Sequence, residues 1–276
     1  FDLVHAHFGP GAIYALGFAE RHRLPLCVTF HGYDVPALSH PDRRANILRY
    51  KLMAKHLFGR LTLGLCASNE LRELLVEAGA PADRLVVYRL GIDLGRFSVA
   101  PRANAVPQVI MIGRMVAKKG HLYGLRAFAE TLAHGHEAEL TLVGEGPLEG
   151  ELRQAVARLG IASSVHFAGV LPVAALAERL ATCDVLLAPS ITAVNGDRES
   201  GLLVVKEASA CGVVPVGTVH GGIPEIIDVA LGDEVARDGA RQDGTGIRPL
   251  RPCSRPRDAL RSRLPRVCGA RPAQVS

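Results

Sequence analysis

The chain reads as an α/β protein made of two successive parallel-sheet units. Three observations predict this: short apolar, β-branched runs alternate with helical periods up to about residue 100, a polar stretch with two prolines interrupts them at 101–107, and the alternation then restarts. Strands that alternate with helices call for a parallel sheet with both faces covered. At 276 residues there is ample apolar material for such cores. No run approaches the roughly 18 to 20 apolar residues that would cross a bilayer.

In order, FDLVHAHF (1–8) is a buried-strand pattern ending in Gly-Pro-Gly, and Ala12–Arg23 is helical. PLCVTFH (25–31) is a second strand that stops at His31-Gly32-Tyr33-Asp34. Asp42–Gly59 is a helix, Leu61–Ser68 a strand, Asn69 caps a helix to about Ala78, and Leu85–Leu90 is again a strand. After the break, strands are expected at 109–112, 140–143, 165–168, 184–188 and 213–218, with helices near 121–134, 148–159, 173–182 and 201–211. The domains are therefore expected at 1–100 and 108–230, joined by a linker at 101–107.

Past Asp228 the pattern fails. Residues 231–276 are rich in Arg, Pro, Gly and Ala and cannot bury enough apolar area to order themselves, so the expectation is a disordered or non-native tail, such as an out-of-frame translation. That tail holds ten Arg against five acidic residues and so carries the whole net charge of +5. The remainder is balanced, 22 basic to 22 acidic, which argues against a nucleic-acid partner. The six cysteines show neither CxxC nor His-spaced pairs, so buried thiols in a reducing cytoplasm are expected rather than zinc or disulfides. Phe1 lies inside a strand, so the natural N-terminus is expected to lie further upstream.

The stretch GDRESGLLVVKEASACGVVPVGTVHGGIPE (196–225) carries the chemistry. Glu199 and Glu207 stand with seven residues between them, the first in a loop and the second in an apolar helical run. A helix beginning near Gly201 would offer unpaired N–H groups and a positive dipole end to a diphosphate. Carboxylates accept paired hydrogen bonds from a sugar diol. Upstream, Gly113-Arg114 and Lys119-Gly120 bracket the turn after a strand, and a guanidinium fork beside an ammonium suits a diphosphate, although a solvated basic turn is the plainer alternative.

The E-x7-E spacing between two strand-like runs, the GGIPE turn and GR-x4-KG resemble the donor-binding signature of retaining GT-B glycosyltransferases, family 4. The resemblance implies two Rossmann-like domains facing a cleft, the first incomplete here because the family's first strands and its Gly-rich loop are missing. It implies transfer of a sugar from a nucleoside-diphosphate donor to a saccharide or lipid-linked saccharide acceptor, with retention and without a metal or cofactor, in bacterial surface-polysaccharide synthesis. Residue by residue it assigns His31 and Glu199 to the donor sugar as catalytic groups, and Gly113, Arg114, Lys119, Gly201, Leu202 and Leu203 to the diphosphate. Glu207 goes to the ribose diol and Leu171, through backbone groups, to the base.

Other readings stay open. His31 could be a strand-end histidine satisfied by a carbonyl. His5 and His7 share one strand face and are expected to be structural, lacking an acidic or Cys partner for a metal. The basic helix at 42–60, with Ile47, Leu48, Leu52, Met53, Leu57 and Phe58, is either a core-packed surface helix or a face for anionic lipid, which would make the protein peripheral to the inner membrane. A GT-B sugar-nucleotide 2-epimerase and a nucleotide-sugar-binding module without turnover are the competing functions.

Overall fold

A computed structural model of the chain describes residues 1–39, 44–194 and 196–231, with no side-chain account of 228–231. The rest of the expected tail, and Asp42 and Arg43 of the basic helix, lie outside the described residues. Among those described, no helix is long and apolar enough to cross a membrane.

The first half alternates β1 (Val4–His7), α1 (Gly9–Arg21), β2 (Leu26–Phe30), α2 (Pro36–Ser39), α3 (Ala45–Arg60), β3 (Leu63–Cys66), α4 (Asn69–Glu77) and β4 (Leu85–Val87). Its strands pair in parallel in the order β1-β2-β3-β4. Ala6, Val28, Phe30 and Cys66 point into a core with Ile13, Leu16, Tyr50, Leu57 and Leu71 from the helices. The alternate positions His5 and His7 stay exposed, as a two-residue period requires. α4 is capped by Ser68, whose hydroxyl accepts from Leu71 N at 3.1 Å, and not by Asn69, the cap expected from the sequence. Asn69 is the first helical residue, because Ser68 keeps the extended backbone that an N-cap needs.

The second half runs β5 (Gln108–Ile112), α5 (His121–Ala133), β6 (Glu139–Val143), α6 (Glu149–Arg158), β7 (Val165–Gly169), α7 (Val173–Ala181), β8 (Val185–Ala188), α8 (Leu203–Ala210), β9 (Val214–Gly217) and α9 (Ile223–Leu231). The parallel order is β7-β6-β5-β8-β9. Neighbouring residues of β5 serve opposite faces: Ile110 joins the cluster with Leu186, Val205 and Ala208, whereas Met111 joins Leu125, Phe128 and Leu142. The chain leaves β5 toward β6 and later returns to its other side as β8. The order therefore reverses at β5, and a crevice opens beyond the carboxyl ends of β5 and β8, the place where open α/β sheets bind ligands.

The two halves touch through named side chains. Glu225, in the first turn of α9, accepts from Asn69 N at 2.9 Å and Asn69 Nδ2 at 3.0 Å and pairs with Arg89. An anion thus sits against the positive end of α4. Arg198 pairs with Glu70, and Lys206 donates to Leu90 O.

Candidate functional site

Both loops that flank the switch point carry residues singled out from the sequence. After β5 come Gly113, Arg114 and Lys119; after β8 come Glu199, Gly201, Leu202 and the start of α8. That helix opens at Leu203 rather than near Gly201, because Leu202 stays extended with φ −78° and ψ 90°. Gly201 and Leu202 therefore form the approach to the helix, and Leu203 is its first, exposed residue.

Glu199 is the centre of the arrangement. It is buried, yet Lys119 Nζ lies 3.1 Å from its Oε2. Lys118 Nζ stands 3.6 Å from Oε1, near enough for attraction and too far for a hydrogen bond, and its own hydrogen bond goes to Asp197 at 3.1 Å. Oε1 is consequently buried without a hydrogen-bond partner. A carboxylate oxygen kept from water normally finds a donor, so Oε1 has capacity that a hydroxyl of a ligand could use. Lys119 also retains capacity, since an ammonium has three donors. Its alkyl stem runs beside Gly113, where a Cβ would come within 3.1 Å of it.

The acidic loop is braced from behind by the GGIPE turn. Gly221 adopts φ +58°, and a methyl there would overlap the carbonyl oxygen of Glu199. His220 Nε2 accepts from Glu199 N at 3.4 Å, and burial, followed by Arg198, holds the imidazole below its ordinary pKa.

Across from Glu199, the next residue, Ser200, donates its hydroxyl to the carbonyl of His31. Only glycine fits at position 32, which has φ +140° and would otherwise place a Cβ 2.5 Å from that hydroxyl. Asp34, fully buried, fixes the same loop: its carboxylate accepts from Gly32 N at 3.0 Å, His31 N at 3.3 Å and Gly9 N at 2.9 Å. Burial raises its pKa against the pull of these donors. The His31 ring is half-buried, packs on Phe8 at 4.5 Å between centroids and bonds through Nε2 to His7 Nδ1 at 2.9 Å. Burial first, then His7 and His5, lower its pKa.

Arg114 and Leu171 open onto a neighbouring cleft of about 620 Å³, which Gly113, Gly144, Glu145, Gly146 and Leu176 also line. Lys119 and Leu202 instead border a small enclosed cavity of about 10 Å³ beside His121 and Ser190, and Ile112 lines both spaces. Glu207 lies on α8, half-buried, with its carboxyl pKa raised by that burial. The structure thus brings Lys119, Glu199 and, through Ser200, His31 together, sets Arg114 and Leu171 on the adjoining cleft, and gives Glu207 no ion pair among the described residues. Lys118, Ser200, His220 and Glu225 are contributors to which the sequence motifs alone assign no role. The doubled lysine and the GGIPE glutamate were visible, but nothing in their spacing tells which group faces Glu199. Among the described residues no group of three His, Cys, Asp or Glu side chains is placed to hold a metal ion.

Known proteins resemble the chain along most of its length. The pattern described as Glycosyltransferase Family 4 matches residues 1–96, and that described as Glycosyl transferases group 1 matches 106–239. WcaL of Escherichia coli K12, a glycosyltransferase assigned to colanic acid biosynthesis, is 31% identical over 231 residues, covering 82% of this chain and 55% of its own. The amylovoran biosynthesis glycosyltransferase AmsK of Erwinia amylovora is 30% identical over 246 residues, 87% of this chain and 59% of its own. The chain therefore spans a little over half the length of these relatives. HepE of Anabaena, solved with UDP and glucose, shares the fold with a TM-score of 0.64 over 82% of this chain and 61% of its own, at 22% identity.

Proposed function

We propose, from the premise that this chain belongs to the family 4, group 1 glycosyl transferases, that it moves a sugar from a nucleoside diphosphate to the hydroxyl of a saccharide or lipid-linked saccharide, with retention at the anomeric carbon. The observation that carries the reading is the Lys119–Glu199 pair beside the start of α8, with one carboxylate oxygen free of hydrogen bonds. Breaking the anomeric bond puts negative charge on the departing diphosphate and positive charge on an oxocarbenium-like ring. Fixed charges stabilise such a transition state without reorganising. Lys119, with Arg114 at the rim, meets the diphosphate together with the N–H groups of Leu203 and its neighbours. Glu199 Oε1 takes a sugar hydroxyl, His31 another from the opposite half, and Glu207 the ribose diol. The names of the relatives, in colanic acid and amylovoran biosynthesis, support a role in surface-polysaccharide assembly.

A peripheral contact with anionic membrane on the cytoplasmic side belongs to the same reading. The apolar set of α3 divides: Ile47, Leu57 and Phe58 are buried, while Leu48 and Leu52 are exposed on a helix that also carries Arg49, Lys51 and Lys55. Cations at such a surface are worth about 1 kcal/mol each. Flotation with vesicles containing anionic lipid, against neutral ones, reads this directly.

The deciding experiment mixes the protein with UDP-glucose or GDP-mannose and a lipid-linked saccharide acceptor. Acceptor-dependent release of nucleoside diphosphate with an α-linked product is expected. Calorimetric binding with no release under any acceptor would favour a binding module, and an epimerised donor formed without acceptor would favour the epimerase.

A further inference from the structure

β1 and β2 line up three imidazoles, of which the proposed reaction uses only the last. Their arrangement follows from register. His5 pairs with Cys27 and His7 with Thr29 in the parallel ladder. Each β1 histidine reaches diagonally to the residue two places further along the other strand: His5 Nε2 to Thr29 Oγ1 at 2.8 Å, and His7 Nδ1 to His31 Nε2 at 2.9 Å. The rings follow one another in series, His5 tilted on His7 with centroids 4.7 Å apart and His7 stacked on His31 at 5.2 Å.

A neutral imidazole has one donor and one acceptor nitrogen, and the bond made at one nitrogen sets the other. The contact between His7 Nδ1 and His31 Nε2 therefore leaves two arrangements. Either His7 donates from Nδ1, which forces both rings into the Nδ1–H form, or His31 donates from Nε2 and both rings hold the Nε2–H form. Neutral imidazole favours Nε2–H, so the second arrangement satisfies both rings at once. A second charge in the stack is opposed by its neighbours. The carboxylate three residues after His31, Asp34, already accepts from backbone N–H groups; Tyr33 packs on Phe8, and Ser200 reaches the His31 carbonyl rather than its ring.

We propose that His7 is a positioning residue for His31: it accepts the His31 Nε2–H through its own Nδ1 and so keeps His31 Nδ1 as a hydrogen-bond acceptor for a sugar hydroxyl. This rests on the reading that His31 meets the donor sugar, and it deepens that reading by fixing the direction of the bond. The donated hydrogen comes from the hydroxyl, which leaves that oxygen richer in electron density next to a centre that is becoming cationic.

Long-range ¹H–¹⁵N correlation spectra of the histidine rings near pH 7.5 decide the matter. The wild-type protein is expected to give the Nε2–H pattern at His31. His7→Leu should relax His31 toward a mixture of both tautomers, and His7→Asn, whose amide oxygen replaces Nδ1 as acceptor, should restore Nε2–H. His7 is exposed, so both variants keep the core intact, which dispersion of the amide signals verifies. An Nδ1–H pattern in the wild type, or an unchanged tautomer in His7→Leu, overturns the proposal. Titrating UDP-glucose and GDP-mannose into the same samples tests the donor-site reading separately: His31 signals that move with neither donor count against that reading, whereas a wrong tautomer counts against the role of His7.

Discussion

Asp34 and Glu199 are both buried carboxylates, one in each half, and they lie on either side of the contact between His31 and Ser200. Their surroundings differ in kind. The Asp34 oxygens are taken up by the backbone N–H groups of Gly9, His31 and Gly32, so the side chain acts as a fixed strut for a turn. Glu199 meets two ammonium groups, and one of its oxygens has no hydrogen bond. A carboxylate whose acceptor capacity is exhausted by the main chain holds structure, and one that balances side-chain cations with capacity to spare is suited to a ligand. Burial alone does not separate the two.

The largest effect that can break this contrast is on turnover. Glu199→Gln is expected to lower sugar transfer by about 10²- to 10³-fold, the range for loss of a preorganised electrostatic contact, with little change in the urea midpoint; unaltered turnover would put Glu199 beside Asp34 as a structural group. The reverse outcome is expected for Asp34→Asn, which turns one acceptor into a donor facing N–H groups. About 3 kcal/mol of stability should be lost, measured by urea unfolding.

A third test concerns His121, next to Lys119. Burial first, then Lys119, pushes its pKa down to about 4, and its Nδ1 has no partner. The unfolded chain takes up this proton near 6.5 and the folded one only near 4. Stability is therefore full above 6.5 and falls as the pH drops through that window, by roughly 3 kcal/mol in all. Unfolding midpoints measured from pH 7 to pH 4 should show this slope, and His121→Asn should flatten it. The smallest effect is expected at Ser68→Ala, where loss of the α4 cap should cost about 1 kcal/mol without touching transfer.

Much of the fold could be read from the chain because strand and helix periods are local. β5, β6 and β7 fall within a residue or two of their expected places. Errors gather where a side chain or a partner sets the boundary. Ser68, not Asn69, supplies the cap of α4, and α8 starts two residues later than its apolar run suggests because Leu202 keeps an extended backbone while its side chain is buried in the second-half core. α9 was not anticipated, since its first turn is held by Asn69 and Arg89, more than a hundred residues away. At the site, motif spacing identified Lys119 and Glu199 as members without revealing that they pair with each other. The link from His7 to His31 depends on strand register, which the sequence alone does not specify.

The hydrogen bond from Ser200 to the His31 carbonyl has a mechanical consequence. It joins the residue after one proposed catalytic group to the main chain of the other, so the distance between Glu199 and His31 is set by a contact of the backbone and not by their own side chains. Together with the Glu225–Asn69, Glu225–Arg89 and Arg198–Glu70 contacts, it makes the floor of the crevice a seam stitched at several points, so any widening there has to undo more than one of them.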